Sequence, residues 1–308
     1  MNLPLPIRIK HRADFLRLVR QFFQDKNVLE VDTPLLAPAA ITDIHIDPIK
    51  TDDSGFLQTS PEYAMKRLLV EGSGDIFQLC KAFRREEVGK KHREEFTLLE
   101  WYRLDFDQWQ LMEEVADLVE LLLGVTNFEY VSYRQAFIDN IGIDPFTISN
   151  IELAKEARQH INIHMGFASR DDWLDLLMSH LIEPYLGEKN PTFIYDYPSS
   201  QAALAIVNKD AHGQLVAERF ELYYQGLELC NGYHELSDAS ELRQRFHQDN
   251  LTRLKLGKTV LPIDQLFIEA MEKGLPQCSG VAVGIDRLLM LSLAVDDIAK
   301  TELLMKGR

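Results

Sequence analysis

Apolar residues recur at helical spacing in the central part of the chain. Trp109, Met112 and Val115 lie three positions apart, and the apolar pattern continues to Gly124. Residues at this spacing share one face of a helix, and a glycine after the last of them is a common stop signal. The pattern predicts a helix that packs into the core and ends near Gly124, within a mainly helical segment at about 107–187.

A second helix is predicted after Ser169, a residue type that caps helix N-termini. Trp173 and Leu177 are four positions apart and give this helix an apolar stripe. Two further helices are predicted over about 239–256 and 264–273. Strand-like runs cluster together instead of alternating regularly with helices, which favours the α+β class.

Two strand-like segments joined by a basic loop bring arginine, acidic and aromatic residues together. Residues 83–87 carry two arginines and two glutamates, and residues 95–102 carry phenylalanine, tryptophan and tyrosine. An arginine can hold a phosphate through its planar guanidinium, and a phenylalanine can stack on a purine. The arrangement predicts a nucleotide-binding hairpin, with an ordinary solvated hairpin as the alternative.

A second candidate element lies near the C-terminus. An apolar strand over about 280–283 breaks at Gly284 into an apolar helix, which places Arg287 in the first helical turn. A helix N-terminus carries partial positive charge and prefers acidic residues, so an arginine there indicates a function. The alternative is a surface arginine neutralised by Asp286.

Composition limits the classes of protein to be considered. The chain has 308 residues, 46% of them hydrophobic, and one large core is expected. A net charge of −15 argues against non-specific binding to nucleic acid. The basic stretch over 81–93 is interpreted as an electrostatic funnel for a nucleotide or a protein partner, with a solvated loop as the alternative.

Three widely spaced cysteines without a CxxC pair favour a reducing compartment. The N-terminus has no signal-peptide pattern, and no apolar run is long enough to span a membrane. The expectation is a cytoplasmic protein without a membrane partner.

The two candidate elements resemble motifs 2 and 3 of class II aminoacyl-tRNA synthetases, specifically of the lysyl branch. Residues 27–36, preceded by a predicted amphipathic helix over about 13–25, resemble motif 1. The resemblance covers about residues 10–295. It implies a single class II catalytic domain over residues 1–308, with a mainly antiparallel sheet flanked by helices, and a homodimer formed through motif 1.

Only about a dozen residues precede the predicted motif 1 helix, so no anticodon-binding domain and no tRNA substrate are expected. A stand-alone lysyl-type domain resembles ligases that attach an activated amino acid to a protein lysine. The resemblance implies that ATP activates (R)-β-lysine, which passes to a lysine of elongation factor P. Two alternatives remain open: a truncated enzyme that acts on tRNA or another amine, and a non-catalytic regulatory paralogue.

The resemblance also implies which residues bind ATP. Arg84 and Arg287 are the implied catalytic residues, with Arg84 bridging the substrate carboxylate and the α-phosphate. Glu86 would accept from the adenine amino group, His92 would reach the phosphates and Phe96 would stack on adenine. The implied ATP-binding set is Arg84, Glu86, His92, Phe96, Glu228, Leu229, Gly284 and Arg287.

Matching positions imply an amino-acid pocket in which acids meet the ammonium groups of a lysine-like substrate, because an unpaired buried charge is very costly. For each acid the alternative is a salt bridge to a neighbouring arginine. Ala282 stands where lysyl-tRNA synthetases usually have glycine, and its methyl group is hypothesised to favour (R)-β-lysine over α-lysine. The implied pocket residues are Ser60, Pro61, Glu62, Glu100, Tyr102, Asn231, Glu235 and Ala282.

Glu221 and Glu228 flank a Gln225-Gly226 turn, and a tight hairpin would bring their carboxylates close together. Such oxygen ligands suit Mg²⁺, and the family position implies the same role. Without a cation, the two acids would need a solvated location. One departure from the family pattern falls in the motif 2 loop, where Arg93 replaces the usual asparagine, so that contact with ATP is not carried over.

Overall fold

The computed structural model describes residues 3–52, 55–162, 166 and 169–304. The chain divides into two compact units, one formed by residues 1–124 and 235–308 and the other by residues 125–234. The expectation of one catalytic domain over residues 1–308 stays a prediction.

Helices and strands are both abundant along the described ranges. The helices are α1 (Leu5–Asp25), α2 (Glu62–Val70), α3 (Gln108–Leu123), α4 (Tyr133–Ile141), α5 (Asn150–His160), α6 (Arg170–Leu177), α7 (Ala239–Lys255), α8 (Gln265–Lys273) and α9 (Ile285–Ser292). The strands are β1 (Leu29–Glu30), β2 (Leu36–Ala37), β3 (Lys50–Thr51), β4 (Gly55–Leu57), β5 (Ile76–Phe83), β6 (Glu95–Leu104), β7 (Glu129–Ser132), β8 (Thr192–Pro198), β9 (Val207–Lys209), β10 (Leu215–Tyr224), β11 (Leu227–His234) and β12 (Cys278–Gly284).

In the first unit, four strands pair in the order β1-β5-β6-β12. The β1–β5 pair is parallel, whereas β5–β6 and β6–β12 are antiparallel. The predicted hairpin is confirmed, with Phe83 opposite Glu95 at its loop end. A smaller sheet has the order β2-β4-β3.

Aromatic packing joins helix α1 to this sheet. The rings of Phe23 and Phe77 stack with their centroids 4.5 Å apart, and Trp101 meets Phe23 edge-on at 5.2 Å. Helix α1 begins at Leu5, earlier than the predicted start near residue 13. Pro6 is compatible with this start because the first helical turn needs no backbone N–H donor there.

The second unit pairs its strands in the order β11-β10-β8-β7, and β9 adds to β10. Helices α4, α5 and α6 contribute the apolar side chains of its core, including Phe137, Leu153 and Trp173. The predicted cap at Ser169 is confirmed, because its side chain accepts a hydrogen bond from the Asp172 N–H. The segment predicted to be mainly helical also contains the short strand β7.

Local end signals account for the boundaries of helix α3 and the start of helix α8. Helix α3 begins with a capping box at Asp107 and ends at Gly124, whose φ of 71° is left-handed. Helix α8 is capped by Asp264, which accepts from the Phe267 N–H. None of the helices described above combines the length and apolar character needed to cross a bilayer.

Candidate active site

Arg84 and Phe96 meet at the loop end of the β5–β6 hairpin. Ala82 stands opposite Phe96 and shares its face of the hairpin. Arg84 is two residues after Ala82, so its side chain lies on that same face. The Arg84 guanidinium carbon lies 5.1 Å from the Phe96 ring centroid. The Nε atom of Arg84 is buried and has no hydrogen-bond partner among the described residues. Its ion pair with Glu87 is long, at 3.8 Å, so the guanidinium can take an anionic ligand.

Arg287 and His92 form the second part of this site. Arg287 lies in the first turn of α9 and donates from Nη2 to the His92 Nε2, 2.7 Å away. Desolvation and the charges of Arg287, Arg84 and Lys91 lower the pKa of His92 to about 4. The imidazole is therefore neutral near pH 7 and can accept a hydrogen bond from Arg287.

The Asp286 carboxylate binds partners on helix α1 and strand β6. One oxygen accepts from Arg12 at 2.7 Å and the other accepts from the Thr97 N–H at 2.7 Å. Asp286 therefore has a charged partner in Arg12, and the role of Arg287 toward ATP stays a prediction.

Glu86 occupies a different environment from Arg84. Its backbone is left-handed, with φ of 65°, and its side chain is 83% exposed. Its carboxylate lies 3.5 Å from Arg85. The structure thus leaves Glu86 on the surface, and its role toward adenine stays a prediction.

A second group of polar side chains is buried along β6 and α2. Glu100, which is 2% exposed, accepts from the Ser60 hydroxyl and from the Tyr102 hydroxyl, each at 2.7 Å. The Ser60 oxygen also accepts from the N–H of Glu62, at 3.0 Å, just after Pro61 at the N-cap of α2. The structure therefore brings these five pocket residues together.

Lys66 joins this group, although it was not among the residues predicted for the pocket. Its ammonium lies 2.6 Å from a carboxylate oxygen of Glu62 and 2.6 Å from one of Glu235. The lysine is only 1% exposed. Burial alone would lower the pKa of Lys66, but the charges of Glu235 and Glu62 raise it above its usual range.

We call Glu62, Lys66, Glu100 and Glu235, with Tyr102, the acidic pocket. Burial raises the pKa of Glu100 to about 7, with the nearby Glu62 charge adding to the shift. Burial also raises the pKa of Glu235, against the opposing effect of Lys66. Three carboxylates face one ammonium, so the fully ionised pocket carries two net negative charges. This excess suits a ligand with two ammonium groups.

The β6–β12 register fixes the floor of the acidic pocket. Ala282 stands directly opposite Glu100, and Gly280 stands opposite Tyr102. A Cβ at Gly280 would lie 2.3 Å from the Tyr102 ring and 2.5 Å from a Glu235 oxygen. Only glycine fits at position 280, whereas position 282 carries a methyl group on the same face as Glu100.

Glu221 and Glu228 lie on the β10–β11 hairpin of the second unit, as predicted. Its turn residues Gln225 and Gly226 both have positive φ, of 52° and 65°. Glu221 is 6% exposed and accepts from Arg219, Tyr197 and Tyr223. Glu221 therefore already has a guanidinium and two hydroxyls as partners, and its role as a magnesium ligand stays a prediction.

Glu183 is a third acid in this part of the second unit. Burial and the charges of Glu221 and Glu228 raise its pKa to about 7. No set of three or more histidine, cysteine or acidic side chains within the described ranges has the arrangement of a metal site. Among the other predicted positions, Leu229 is buried in β11, and Oδ1 of Asn231 is buried without a hydrogen-bond partner in the described part of the chain.

Two residues with evident roles were missed by sequence reasoning. The Glu62–Lys66 spacing of four residues places both side chains on one face of α2, and this signal was available. Arg93 was interpreted as part of the basic stretch over 81–93 and as a departure from the family pattern, yet it pairs with Asp297 at 3.2 Å and with Glu302 at 2.9 Å. These partners are about 200 positions away, and no local pattern indicates them.

Comparisons with known proteins show the family to which the chain belongs. The family model for class II tRNA synthetases (D, K and N) matches residues 5–306. A protein of Edwardsiella ictaluri (strain 93-146), named elongation factor P–(R)-β-lysine ligase, is 46% identical over 300 residues, covering 94% of this chain and 92% of that protein. A protein of the same name from Salmonella typhi is 47% identical over 299 residues, covering 94% of this chain and 91% of that protein. The chain belongs to the class II tRNA synthetase family.

Proposed function

We propose that the protein activates (R)-β-lysine with ATP and transfers it to the ε-amino group of a lysine of elongation factor P. The name of the two relatives supports this substrate pair. The observation that carries the proposal is the acidic pocket, where the single ammonium of Lys66 offsets only part of the charge of Glu62, Glu100 and Glu235. A buried excess of negative charge is costly unless a cationic ligand enters.

Activation requires the amino-acid carboxylate to attack the α-phosphorus of ATP and expel pyrophosphate. Arg84 would bridge the carboxylate and the α-phosphate, and Arg287 would hold the opposite side. Phe96 would stack on the adenine, and neutral His92 could donate or accept near the phosphates. Catalysis of this kind depends on positioning and charge stabilisation and forms no covalent bond to the enzyme.

Transfer then requires the ε-amine of the acceptor lysine to attack the carbonyl carbon of the adenylate. The new amide bond forms as the bond to AMP breaks, and the amine loses a proton. The amine must arrive uncharged, so a base or solvent takes that proton. Glu228, Leu229, Gly284 and Asn231 keep their predicted binding roles as part of this proposal.

Mg²⁺ is proposed as the accompanying ion, with Glu221 and Glu228 as its predicted ligands. Glu221 accepts from Arg219 and two tyrosines, and burial together with the charges of Glu221 and Glu228 raises the pKa of Glu183. This group of acids fits a cation by charge. When bound, the ion would offset negative charge on the triphosphate.

A homodimer in the cytoplasm completes the proposal. Leu29 and Leu36 of the motif 1 region are 59% and 42% exposed, and exposed leucines of this kind favour an interface with a second copy. All three cysteines are free thiols, which suits a reducing compartment. The net charge of −15 supports a protein acceptor over tRNA.

Pyrophosphate exchange into ATP tests the activation step separately from the transfer step. Exchange should depend on added amino acid and be faster with (R)-β-lysine than with α-lysine. Exchange that proceeds without an added amino acid would contradict the proposed activation. The absence of exchange with both isomers would contradict it as well.

The pH dependence of substrate capture should follow the acidic pocket. An ammonium group binds the carboxylate form of Glu100, whose pKa is about 7, so the competent form declines as the pH falls through that value. We expect kcat/KM for (R)-β-lysine to fall by up to about tenfold per pH unit below it. At saturating amino acid the pocket is occupied, so kcat/KM for ATP should not show this decline. Equal declines for both substrates would contradict the assignment.

Ala282 should set the preference between the two lysine isomers. Its methyl group lies on the strand position opposite Glu100 and would reshape the floor beneath the backbone end of the amino acid. We expect Ala282→Gly to shift the ratio of kcat/KM values toward α-lysine by about tenfold, because one methyl group is worth 10–200-fold in discrimination. An unchanged ratio in the exchange assay would show that Ala282 does not select the isomer.

A further inference from the structure

The C-terminal turn, residues 297–302, lies against the β5–β6 loop, residues 84–94. The Ile298 N–H donates to the carbonyl of Lys90 at 2.8 Å. Ile298 and Thr301 are 3% and 2% exposed, so the turn is packed into the first unit. The loop that carries Arg84 and His92 is thus supported by the end of the described chain.

Arg93 makes two charged contacts between the two segments. Its Nε lies 2.9 Å from a Glu302 oxygen, and its Nη2 lies 3.2 Å from a Asp297 oxygen. The Nη1 atom donates to the carbonyls of Gly89 and His92 within the loop. One guanidinium therefore holds the loop closed on itself and joins it to two carboxylates of the turn.

The C-terminal turn is itself fixed, so it can act as a support. Arg8 of helix α1 donates to the backbone carbonyls of Lys300 and Glu302. The Asp297 side chain accepts from the Ala299 N–H at 2.9 Å and so shapes the turn. These contacts tie the turn to helix α1.

The opposite side of the loop meets a proposed catalytic residue. Arg287 donates to the His92 ring and, at 3.5 Å, to the carbonyl of Lys91. Arg93 and His92 are adjacent in the chain, so a shift of the Arg93 anchor moves the His92 backbone directly. The loop is held between α9 and the C-terminal turn.

We infer that Arg93 is a positioning residue for ATP, acting through Asp297 and Glu302 to hold the β5–β6 loop in its binding conformation. This inference rests on the proposed function, because it assumes that the loop binds ATP. Each ion pair is only partly buried, with the three side chains 25%, 35% and 31% exposed, so isolated pairs would contribute little. The effect arises because the contacts converge on one guanidinium and restrict one loop.

The test compares Arg93→Ala with the double variant Asp297→Asn and Glu302→Gln, and with the triple combination. If Arg93 acts through the turn, Arg93→Ala and the double variant should each raise KM for ATP by about tenfold, while KM for the amino acid changes less than twofold. The triple variant should then raise KM for ATP no further than Arg93→Ala or the double variant does. Arg243→Ala is the matched control, because it removes an exposed 2.6 Å pair with Glu272 and should leave both constants unchanged.

Hydrogen exchange of the backbone amides at 84–94 provides a readout that needs no activity. Arg93→Ala and the double variant should both speed exchange there, and Arg243→Ala should not. If the wild-type protein were inactive but showed this pattern of amide hydrogen exchange, the proposed function would be wrong. The inference that the C-terminal turn supports the loop would still hold. A rise in KM for ATP with Arg93→Ala but not with the double variant would show direct contact between Arg93 and the nucleotide. Unchanged KM values and unchanged amide exchange rates would show a passive surface pair. Either result would overturn the inference.

Discussion

Replacing Arg84 with alanine is expected to lower kcat/KM for amino-acid-dependent pyrophosphate exchange by about 10³-fold, the usual cost of removing a group that stabilises transition-state charge. The guanidinium stacks on Phe96 at 5.1 Å, and its buried Nε lacks a hydrogen-bond partner in the part of the chain that the structure describes. An anionic ligand is the natural partner for such a group, because a buried, unpaired polar atom is costly.

Arg85 is the matched control, because it is the adjacent arginine in the same loop. Its side chain is 64% exposed and lies 3.5 Å from the exposed Glu86, so Arg85→Ala should change kcat/KM by less than about threefold. Arg84→Lys keeps the charge but loses the planar fork, and we expect it to recover only a small part of the activity. Equal losses at positions 84 and 85 would remove the basis for placing Arg84 at the reacting phosphate.

Replacing Lys66 with methionine is expected to lower the free energy of unfolding by about 3–5 kcal/mol at pH 7.5, because it leaves buried carboxylates without their cation. Lys66 is 1% exposed and lies 2.6 Å from both Glu62 and Glu235. Methionine has a similar length, so the change removes charge more than volume. Urea-induced unfolding followed by intrinsic fluorescence would measure the loss.

Two companion variants separate lost charge from lost packing. Adding Glu235→Gln to Lys66→Met removes one of the stranded carboxylates and should recover part of the stability. Lys273→Met removes an exposed lysine that pairs with Glu71 at 2.9 Å, and it should cost less than about 1 kcal/mol. If Lys66→Met were as stable as the wild type, the pocket would not hold the excess negative charge on which the substrate proposal depends.

The parts of the fold that follow from local chemistry could be predicted from the sequence. Helix α3 begins after Asp107 and ends before Gly124, because the side chain of an N-cap residue and the left-handed backbone of a glycine act on neighbouring residues only. The β5–β6 hairpin and the position of Arg287 in α9 also follow from neighbouring residues. The family resemblance added the roles of these residues, which spacing alone could not give.

The remaining features depend on pairs that are distant in the chain. A lysine on a helix is normally solvent-exposed, so the burial of Lys66 becomes visible only when Glu235 is brought beside it by the fold. The partners of Arg93 and the pairing of Glu221 with Arg219 and two tyrosines are tertiary contacts of the same kind. The exposed position of Glu86 arises from its left-handed backbone, which no residue preference required.

The intact mass of elongation factor P tests the proposed function most directly. Purified elongation factor P would be incubated with this protein, ATP, Mg²⁺ and either (R)-β-lysine or α-lysine, with the Arg84→Ala variant as the control and tRNA as a competing acceptor. The proposed function predicts a gain of one lysyl residue that is greater with (R)-β-lysine and absent with the variant. An unmodified elongation factor P, in a reaction where pyrophosphate exchange proceeds or tRNA becomes charged, would contradict it.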